Sequence, residues 1–331
     1  MLFCRMLTGL LTAFLASQSQ IALCAEDVYP SKPVRLVVPF SAGSTADIVG
    51  RVLSERLSSR LKQPFIVDNR AGAGGEVGTS AVGKAAADGY TLLLTTSSPL
   101  VINPSLSKNI LYDVEKDFAP IALLAWLPAV LVSNPTVVPA KTLPDLIAFL
   151  KANPGKYGYA SSGQGSYAHI TMELFKQATG VDVTHIPYKG PSQAETDLVG
   201  GQVAIMFDGI ATANPLINTG RLRAYGVTSR VRTSFAPDIP TFAEQGQVEL
   251  KSFEVTSWVS LLAPVNTPPA IIARLNNEIN EALKTPEFKE RLTSKSLMTY
   301  ESSNPREITT LIKTEKARWA KVIIDAKIQV E

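Results

Sequence analysis

From Val34 onward the chain alternates short β-rich runs with amphipathic helical runs, and this alternation constrains the fold more than any other feature. VRLVV (34–38) reads as a buried strand, and Asp47 to Leu61 carries Val49, Leu53, Leu57 and Leu61 at four-residue spacing, one face of a helix. FIVD (65–68) is a second strand and AGAGG (71–75) a turn. A small-residue helix then runs to about Ala87 before a third strand, TLLLTT (91–96). Such alternation implies parallel strands covered by helices on both faces, an α/β fold.

The pattern restarts after residue 130. Thr142 opens a helix that ends near Asn153-Pro154-Gly155, YGYAS (157–161) is a strand, and the helix Tyr167 to Thr179 closes on Gly180. VTHIP (183–187) and VAIMF (203–207) are strands around a helix from Gln193 to Val199. FEVTSWVSLLA (253–263) returns the chain to the first unit. Two helices finish it. Thr267 is the expected N-cap of one, with Pro268 at its first position and Ile271, Ile272, Leu275, Ile279 and Leu283 as its apolar stripe. Asn304 to Glu307 resembles a capping box ahead of Ile308, Ile312, Trp319 and Ile323. An inserted second unit needs two crossings, near 125–132 and 250–263; two crossings make a hinge, and a hinge makes a cleft that can close. The expected lobes are 26–127 with 251–331, and 128–250.

The N-terminus sets the compartment. Arg5 is the only charge before Glu26, Leu7 to Ala16 is a short apolar core, and Ile21 to Ala25 precedes Glu26-Asp27. This is the layout of a cleavable secretory signal, residues 1–25, with an apolar core too short to span a bilayer. A lipid anchor at Cys24 needs a small residue before it, and Leu23 is not one. Cleavage after Ala25 removes Arg5 and both cysteines, so 32 basic residues fall to 31 against 29 acidic, a net charge of +2. The mature chain then has no disulfide, thiol nucleophile or thiolate metal site. Near-neutral charge without a Lys/Arg run argues against nucleic acid as partner. The apolar stretch Ala119 to Val132 contains Pro120 and Pro128 and reads as buried strand or interdomain segment.

The strand ends carry the chemistry. The first strand leads into Phe40-Ser41-Ala42-Gly43-Ser44-Thr45-Ala46-Asp47, the third into Ser97-Ser98, and YGYA into Ser161-Ser162-Gly163-Gln164-Gly165-Ser166. Later strands end in Tyr188-Lys189-Gly190 and Phe207-Asp208-Gly209. Ligands bind at the carboxyl ends of parallel strands, and free amides at a helix start with nearby hydroxyls form an anion site without Lys or Arg. One such loop commonly just turns the chain and caps a helix. Two matched loops, one per unit, point to a small anion gripped across a cleft.

Several motifs mislead. Gly72 to Gly78 suggests a dinucleotide fingerprint, but its last glycine comes one residue late and no well-placed acid follows, so it reads as a turn. GTSAVGKA (78–85) mimics a phosphate-binding loop without the final Ser/Thr and lies in a helical run. No GxSxG elbow is present. The two histidines, His169 and His185, lack carboxylate partners at metal-binding spacing, so no metal or cofactor is expected. His169 falls in the first turn after the Ser/Gly loop and is a candidate lining residue, whereas mid-strand His185 reads as core or edge packing. Asp47 complements a helix dipole or lines the site. Asp208 stands at a strand end and suits a ligand donor group or an ordered water. Phe40, Tyr167, Tyr188 and Trp258 are candidate walls or core. The alternative is a secreted hydrolase or isomerase using His169 with Asp208 or a loop serine, which needs a base oriented by a third group.

At these residues the chain resembles the Bug family, the substrate-binding proteins of tripartite tricarboxylate transporters. The similarity runs through YPSKPVRLVVPFSAGSTADIVGR (29–51), DNRAGAGGEVG (68–78), ADGYTLLL (87–94), ANPGKYGYASSGQGSYAH (152–169), HIPYKG (185–190), DLVGGQVAIMFD (197–208) and SFEVTSWVSLLAP (252–264). The resemblance implies a two-lobed periplasmic "Venus flytrap", without catalysis, that closes over a small organic acid. It further implies delivery to membrane transporter subunits or a sensor's outer domain. A monomer is expected. The family's carboxylate-holding loops match Ser41 to Ala46 and Ser161 to Ser166, and its strand-end Asp matches Asp208. The expected ligand-binding set is Phe40, Ser41, Ala42, Gly43, Ser44, Thr45, Asp47, Ser97, Ser161, Ser162, Gly163, Gly165, Ser166, His169, Tyr188, Lys189 and Asp208. Ser41-Ala42-Gly43-Ser44 stands where the family usually has a loop richer in Pro and Gly, so another member's ligand does not transfer.

Overall fold

The computed structural model describes residues 29–107, 109–188, 191–325 and 327–328. The signal segment 1–25 and Lys189 lie outside them. The strands are β1 (Val34–Val38), β2 (Phe65–Asn69), β3 (Thr91–Thr96), β4 (Phe118–Ser133), β5 (Gly158–Ser161), β6 (Thr184–Pro187), β7 (Ile205–Gly209), β8 (Arg223–Val227), β9 (Thr256–Pro264) and β10 (Met298–Thr299). The longer helices are α1 (Thr45–Leu61), α2 (Glu76–Gly83), α3 (Leu143–Lys151), α4 (Tyr167–Thr179), α5 (Pro191–Val199), α6 (Ile210–Asn218), α7 (Pro269–Lys284), α8 (Pro286–Thr293) and α9 (Pro305–Asp325).

One curled mixed sheet runs in the order β2-β1-β3-β9-β4-β7-β5-β6, with β8 and β10 also paired to β4. β1 is parallel to β2 and β3, and β5 is parallel to β6 and β7. β9 and β4 run antiparallel to their neighbours and join these two parallel halves. The 16 residues of β4 make it the shared strand. Its first part, Phe118 to Pro128, pairs with β9; Ala129 to Ser133 pairs with β7 on one side, and Val130 to Ser133 with β8 on the other. Register slips between Pro120 and Ala122, where proline offers no N–H to the ladder. This is a two-lobed α/β architecture, with the shared strands where the prolines and apolar run had placed a crossing.

The helices form where apolar spacing and caps agree. Val49, Leu53 and Leu57 of α1 are fully buried against the first half of the sheet, and Ser44 caps its start. α4 spans the expected residues, from the Ser166 cap to Gly180 in the left-handed region at φ 71°. Other expectations shift. α2 stops at Gly83 rather than near Ala87, because 84–89 turn the chain into β3 through Gly89 (φ 82°). Thr267 does not cap α7: its hydroxyl donates to the Pro264 carbonyl at 2.7 Å, and Pro268 takes the cap position. Asn304 caps α9 through its Oδ1, which accepts from the Arg306 amide at 3.0 Å. A third C-terminal helix, α8, sits between the two expected ones and buries Phe288 and Leu292. α9 packs into a core cluster that contains Val37 and Leu93 from one half and Tyr159, Phe175 and Phe207 from the other.

Candidate functional site

The two loops singled out in the sequence adopt one shared turn. Gly43 (φ 84°) and Gly165 (φ 71°) both occupy the left-handed region that favours glycine. Each is followed by a serine N-cap in nearly the same extended conformation, Ser44 at φ −67°, ψ 161° and Ser166 at φ −63°, ψ 158°. The Ser44 amide donates to the Ser41 carbonyl and the Ser166 amide to the Gly163 carbonyl, both at 3.2 Å. Ser44 Oγ accepts from the Asp47 amide at 3.3 Å, and Ser166 Oγ from the His169 amide at 3.4 Å. Both hydroxyls therefore act as acceptors toward their helices and keep a proton to give. The glycine amides complete the parallel: Gly43 N–H donates to Asp47 Oδ2 and Gly165 N–H to His169 Nδ1, both at 2.9 Å.

Each turn is thus locked by a side chain four residues on, and each hands over the first turn of a helix of more than two turns. Within that first turn, the third amide is taken by the cap serine. The amides of Thr45 and Ala46, and of Tyr167 and Ala168, have no intrahelical partner to meet. These are N–H groups that an anion satisfies.

The two locks differ in charge. Asp47, 2% exposed, also accepts both arms of Arg51 (2.9 and 3.0 Å) and the Asn69 amide (3.1 Å). Burial works to raise its pKa, but the bonds from Arg51, Gly43 and Asn69 outweigh that and hold the carboxyl below its ordinary value. Asn69 also donates to the Phe40 carbonyl at 3.0 Å, tying the β2 end to the loop. Because His169 Nδ1 accepts from Gly165, its ring proton sits on Nε2. Burial pushes the His169 pKa down, against the upward pull of Glu173, so the second lock is a neutral imidazole.

His169 stacks on His185 at 4.0 Å and 4° between planes, and His185 stacks on Tyr159 at 4.8 Å. His185 Nε2 lies 2.6 Å from Ser161 Oγ, which also bonds Gly163 on both its carbonyl (3.0 Å) and its amide (3.2 Å). Burial first, then the charges of His169 and Lys176, push the His185 pKa down to about 4. Tyr159 OH donates to Glu173 at 2.7 Å. The serine–histidine contact has the separation of a nucleophile and base, but Ser161 is fully buried and engaged three ways. It braces the loop from behind. His185 is therefore the packing residue that its position suggested, and the support it gives is specific.

The other expected residues divide. Ser41, Ala42 and Gly43 are exposed, whereas Phe40, Ser44, Thr45, Ser162, Gly163 and Ser166 are half-buried at the same strand ends. Phe40 packs against the turn that opens α2: a Cβ on Gly75 would stand 3.2 Å from its ring. Buried Ser97 meets Ser257 of β9, Oγ to Oγ 3.3 Å. The Tyr188 amide donates to the Ser161 carbonyl at 3.0 Å, and its hydroxyl donates to Asp197 at 2.9 Å. Asp208, at the end of β7, accepts from the Gly209 amide (2.7 Å) and Thr212 (3.2 Å) through Oδ1. Burial and the nearby Glu195 push its pKa up. Tyr167 and Trp258 belong to the core side: Trp258 is part of the buried cluster and Tyr167 packs against it. Sequence reading missed Arg51, Asn69, Ser257 and Glu195. Arg51 alone had a signal, an i,i+4 partner of Asp47 on a helix.

Comparison with known proteins places this geometry. The model of the tripartite tricarboxylate transporter family receptor (TctC) matches residues 49–328. Protein BugT of Bordetella pertussis is 40% identical over 318 residues, covering 96% of each chain. R. palustris Rpa4515, solved with adipate, is 33% identical with a TM-score of 0.81, covering 91% of this chain and 99% of that one. The periplasmic binding protein BugD is 34% identical, TM-score 0.78, over 92% and 100%. MatC (Rpa3494) from Rhodopseudomonas palustris, with bound malate, is 32% identical, TM-score 0.76, over 89% and 100%. With the same two-lobed fold, a family model that matches from within α1 to beyond α9, and a relative 40% identical over nearly the whole chain, this chain belongs to the tripartite tricarboxylate transporter receptor family of solute-binding proteins, the Bug proteins.

Proposed function

We propose that this chain captures a small organic carboxylate between its two equivalent turns and delivers it to a tripartite tricarboxylate-type transporter in the periplasm, without chemical change. The observation that carries the reading is the paired turn itself. Two helix starts with matching glycine, cap serine and i+4 lock offer free amides and hydroxyl protons to one anion. Thr45, Ser162 and Ser166 donate hydroxyls, and Gly43, Ser44, Gly163 and Gly165 give close backbone approach. Phe40 and Tyr188 flank the ligand body, while Asp47 and His169 hold the turns and Ser97 borders the cleft. Lobes of 26–127 with 251–331 and of 128–250 close by rotation about β4 and β9. Export by the 1–25 signal and a monomeric receptor complete the proposal. Family membership supports receptor over enzyme, as does the engagement of His169 Nδ1 with a loop amide rather than with an orienting acid. The adipate and malate held by related proteins support a carboxylate as ligand.

The test is a thermal-shift screen of residues 26–331, unfolded and refolded to strip carried ligand, against small carboxylates and their amides. A ligand at about one hundred times its Kd adds about 2.7 kcal/mol, a rise of several degrees in a protein this size. A shift with an acid and not its amide is the expected result; no shift with any acid would sink the reading.

A further inference from the structure

The second turn leans on two stacked imidazoles, and both of its glycines depend on them. Gly165 N–H donates to His169 Nδ1 at 2.9 Å. Gly163 is held on its amide and its carbonyl by Ser161 Oγ, which lies 2.6 Å from His185 Nε2. The two rings overlap at 4.0 Å with 4° between their planes. An imidazole nitrogen accepts a hydrogen bond only while it carries no proton. Protonating His169 turns Nδ1 into a donor aimed at the Gly165 N–H, so the lock is lost. The first turn has no such weakness, because the Asp47 carboxyl is held below its ordinary value and stays an acceptor into acid.

Among the described residues, the groups around the pair do little to stabilise an added proton. Glu173 of α4 pulls the His169 pKa upward, but it already accepts from Tyr159 of β5 at 2.7 Å and from Lys176 at 2.9 Å. Burial and Lys176 push both rings the other way. A charge on His169 in turn holds His185 lower, so His169 takes the first proton.

We infer that His169 is a proton-sensitive positioning residue: the site takes its carboxylate while the imidazole pair is uncharged, and acidification releases it. The inference rests on the carboxylate reading above and deepens it. The folded His169 titrates below its ordinary value, so the neutral ring prevails above about pH 6.5. As pH falls through that lowered value the lock opens, and affinity drops toward about tenfold per pH unit. Conversely, a bound carboxylate fixes the turn and lowers the His169 pKa further. Attraction between the anion and a charged ring acts the other way. It is the weaker effect, because it passes through solvent at half-buried Ser162 and Ser166. Gly165 is buried, so the loss of its acceptor leaves an amide unpaired at full cost. Asp208, pushed up by burial and Glu195, gives an opposite trend, since it gains charge and repels an anion as pH rises.

The sequence has only two histidines, so each ring can be followed by itself. Refolded protein labelled at the histidine nitrogens is titrated by NMR from about pH 8 to about pH 5, across the ordinary histidine range. The titration is run alone and with saturating citrate, succinate, benzoate or glutamate. The His169 ring is assigned by its loss in His169→Asn or its retention in His185→Gln. We expect it to titrate about half a pH unit or more lower with an acid bound than without. Calorimetry is run in parallel on His169→Asn, whose Oδ1 keeps an acceptor for Gly165 and does not titrate. The ratio of wild-type to variant affinity should fall with pH, and comparison at equal pH cancels the ionisation of the ligand and of Asp208. If the variant folds poorly, the wild-type NMR shift still decides. A His169 pKa unchanged or raised by a bound acid, or an affinity ratio that stays constant, would overturn the inference and leave the carboxylate reading intact. No binding by any acid at any pH would overturn both.

Discussion

Asp47 and His169 perform one geometric task with opposite electrostatic means, and substitutions should separate the two. Asp47→Ala removes the acceptor for Gly43 and leaves Arg51 and Asn69 without their shared partner. It should cost about 1–3 kcal/mol, read as a lowered thermal midpoint. Ser166→Ala removes both a cap and a proposed ligand hydroxyl. It should cost about 1 kcal/mol of stability and weaken carboxylate binding by about 1–3 kcal/mol by calorimetry; unchanged affinity counts against its placement. For His185, the folded pKa of about 4 lies below the ordinary value near 6.5. The neutral ring therefore contributes stability that is complete above about pH 6.5 and is lost as pH falls toward about 4. Thermal midpoints measured across that window should fall more steeply for wild type than for His185→Gln; equal slopes would show that the ring does not titrate there. Residue types at the strand ends were legible because serine and glycine cluster there. The i+4 locks were not, because only the turn geometry tells an aspartate on a glycine amide from an aspartate on a helix dipole.

At the scale of elements, the shared turn makes the glycines a sharper probe than the hydroxyls. A Cβ on Gly43 would meet nothing within 4 Å, so Gly43→Ala carries only the cost of a left-handed backbone. That cost is about 1–2 kcal/mol, and it is avoided if the loop relaxes and spoils the anion site instead. The expected outcome is a small loss of thermal midpoint with a larger loss of affinity, measured on one preparation. β1, β3 and α4 matched the sequence reading because uninterrupted apolar runs and good caps leave few alternatives. α6 and β8 went unread, since Pro215 inside α6 mimics a helix break and β8 carries Arg223 on its short run. α8 was hidden because Pro286 follows α7 so closely that one helical end looked like one helix. The capping role given to Thr267 failed because its hydroxyl faces back to Pro264.

Across the whole molecule, the two halves are joined by more than the shared strands. α9 lays Ile308, Ile312, Trp319, Val322 and Ile323 into the cluster that holds Val37 and Leu93 of one half and Tyr159, Phe175 and Phe207 of the other. Gln177 of α4 adds a bond to the Val322 carbonyl at 3.3 Å, and Arg318 donates to the Glu254 carbonyl. A hinge made only of β4 and β9 would let each half melt alone. A continuous apolar cluster through α9 couples them, because unfolding either half exposes surface that belongs to both. Calorimetric unfolding of the refolded protein should then be a single transition whose calorimetric and van't Hoff enthalpies agree. Trp319, 2% exposed with its indole N–H on Glu315 at 2.9 Å, is the largest side chain of α9 in that cluster. Trp319→Ala should remove about 3–5 kcal/mol and split the transition into two. A single transition in the variant would place the coupling in the shared strands instead, and two transitions in wild type would mean that α9 rides with one half alone.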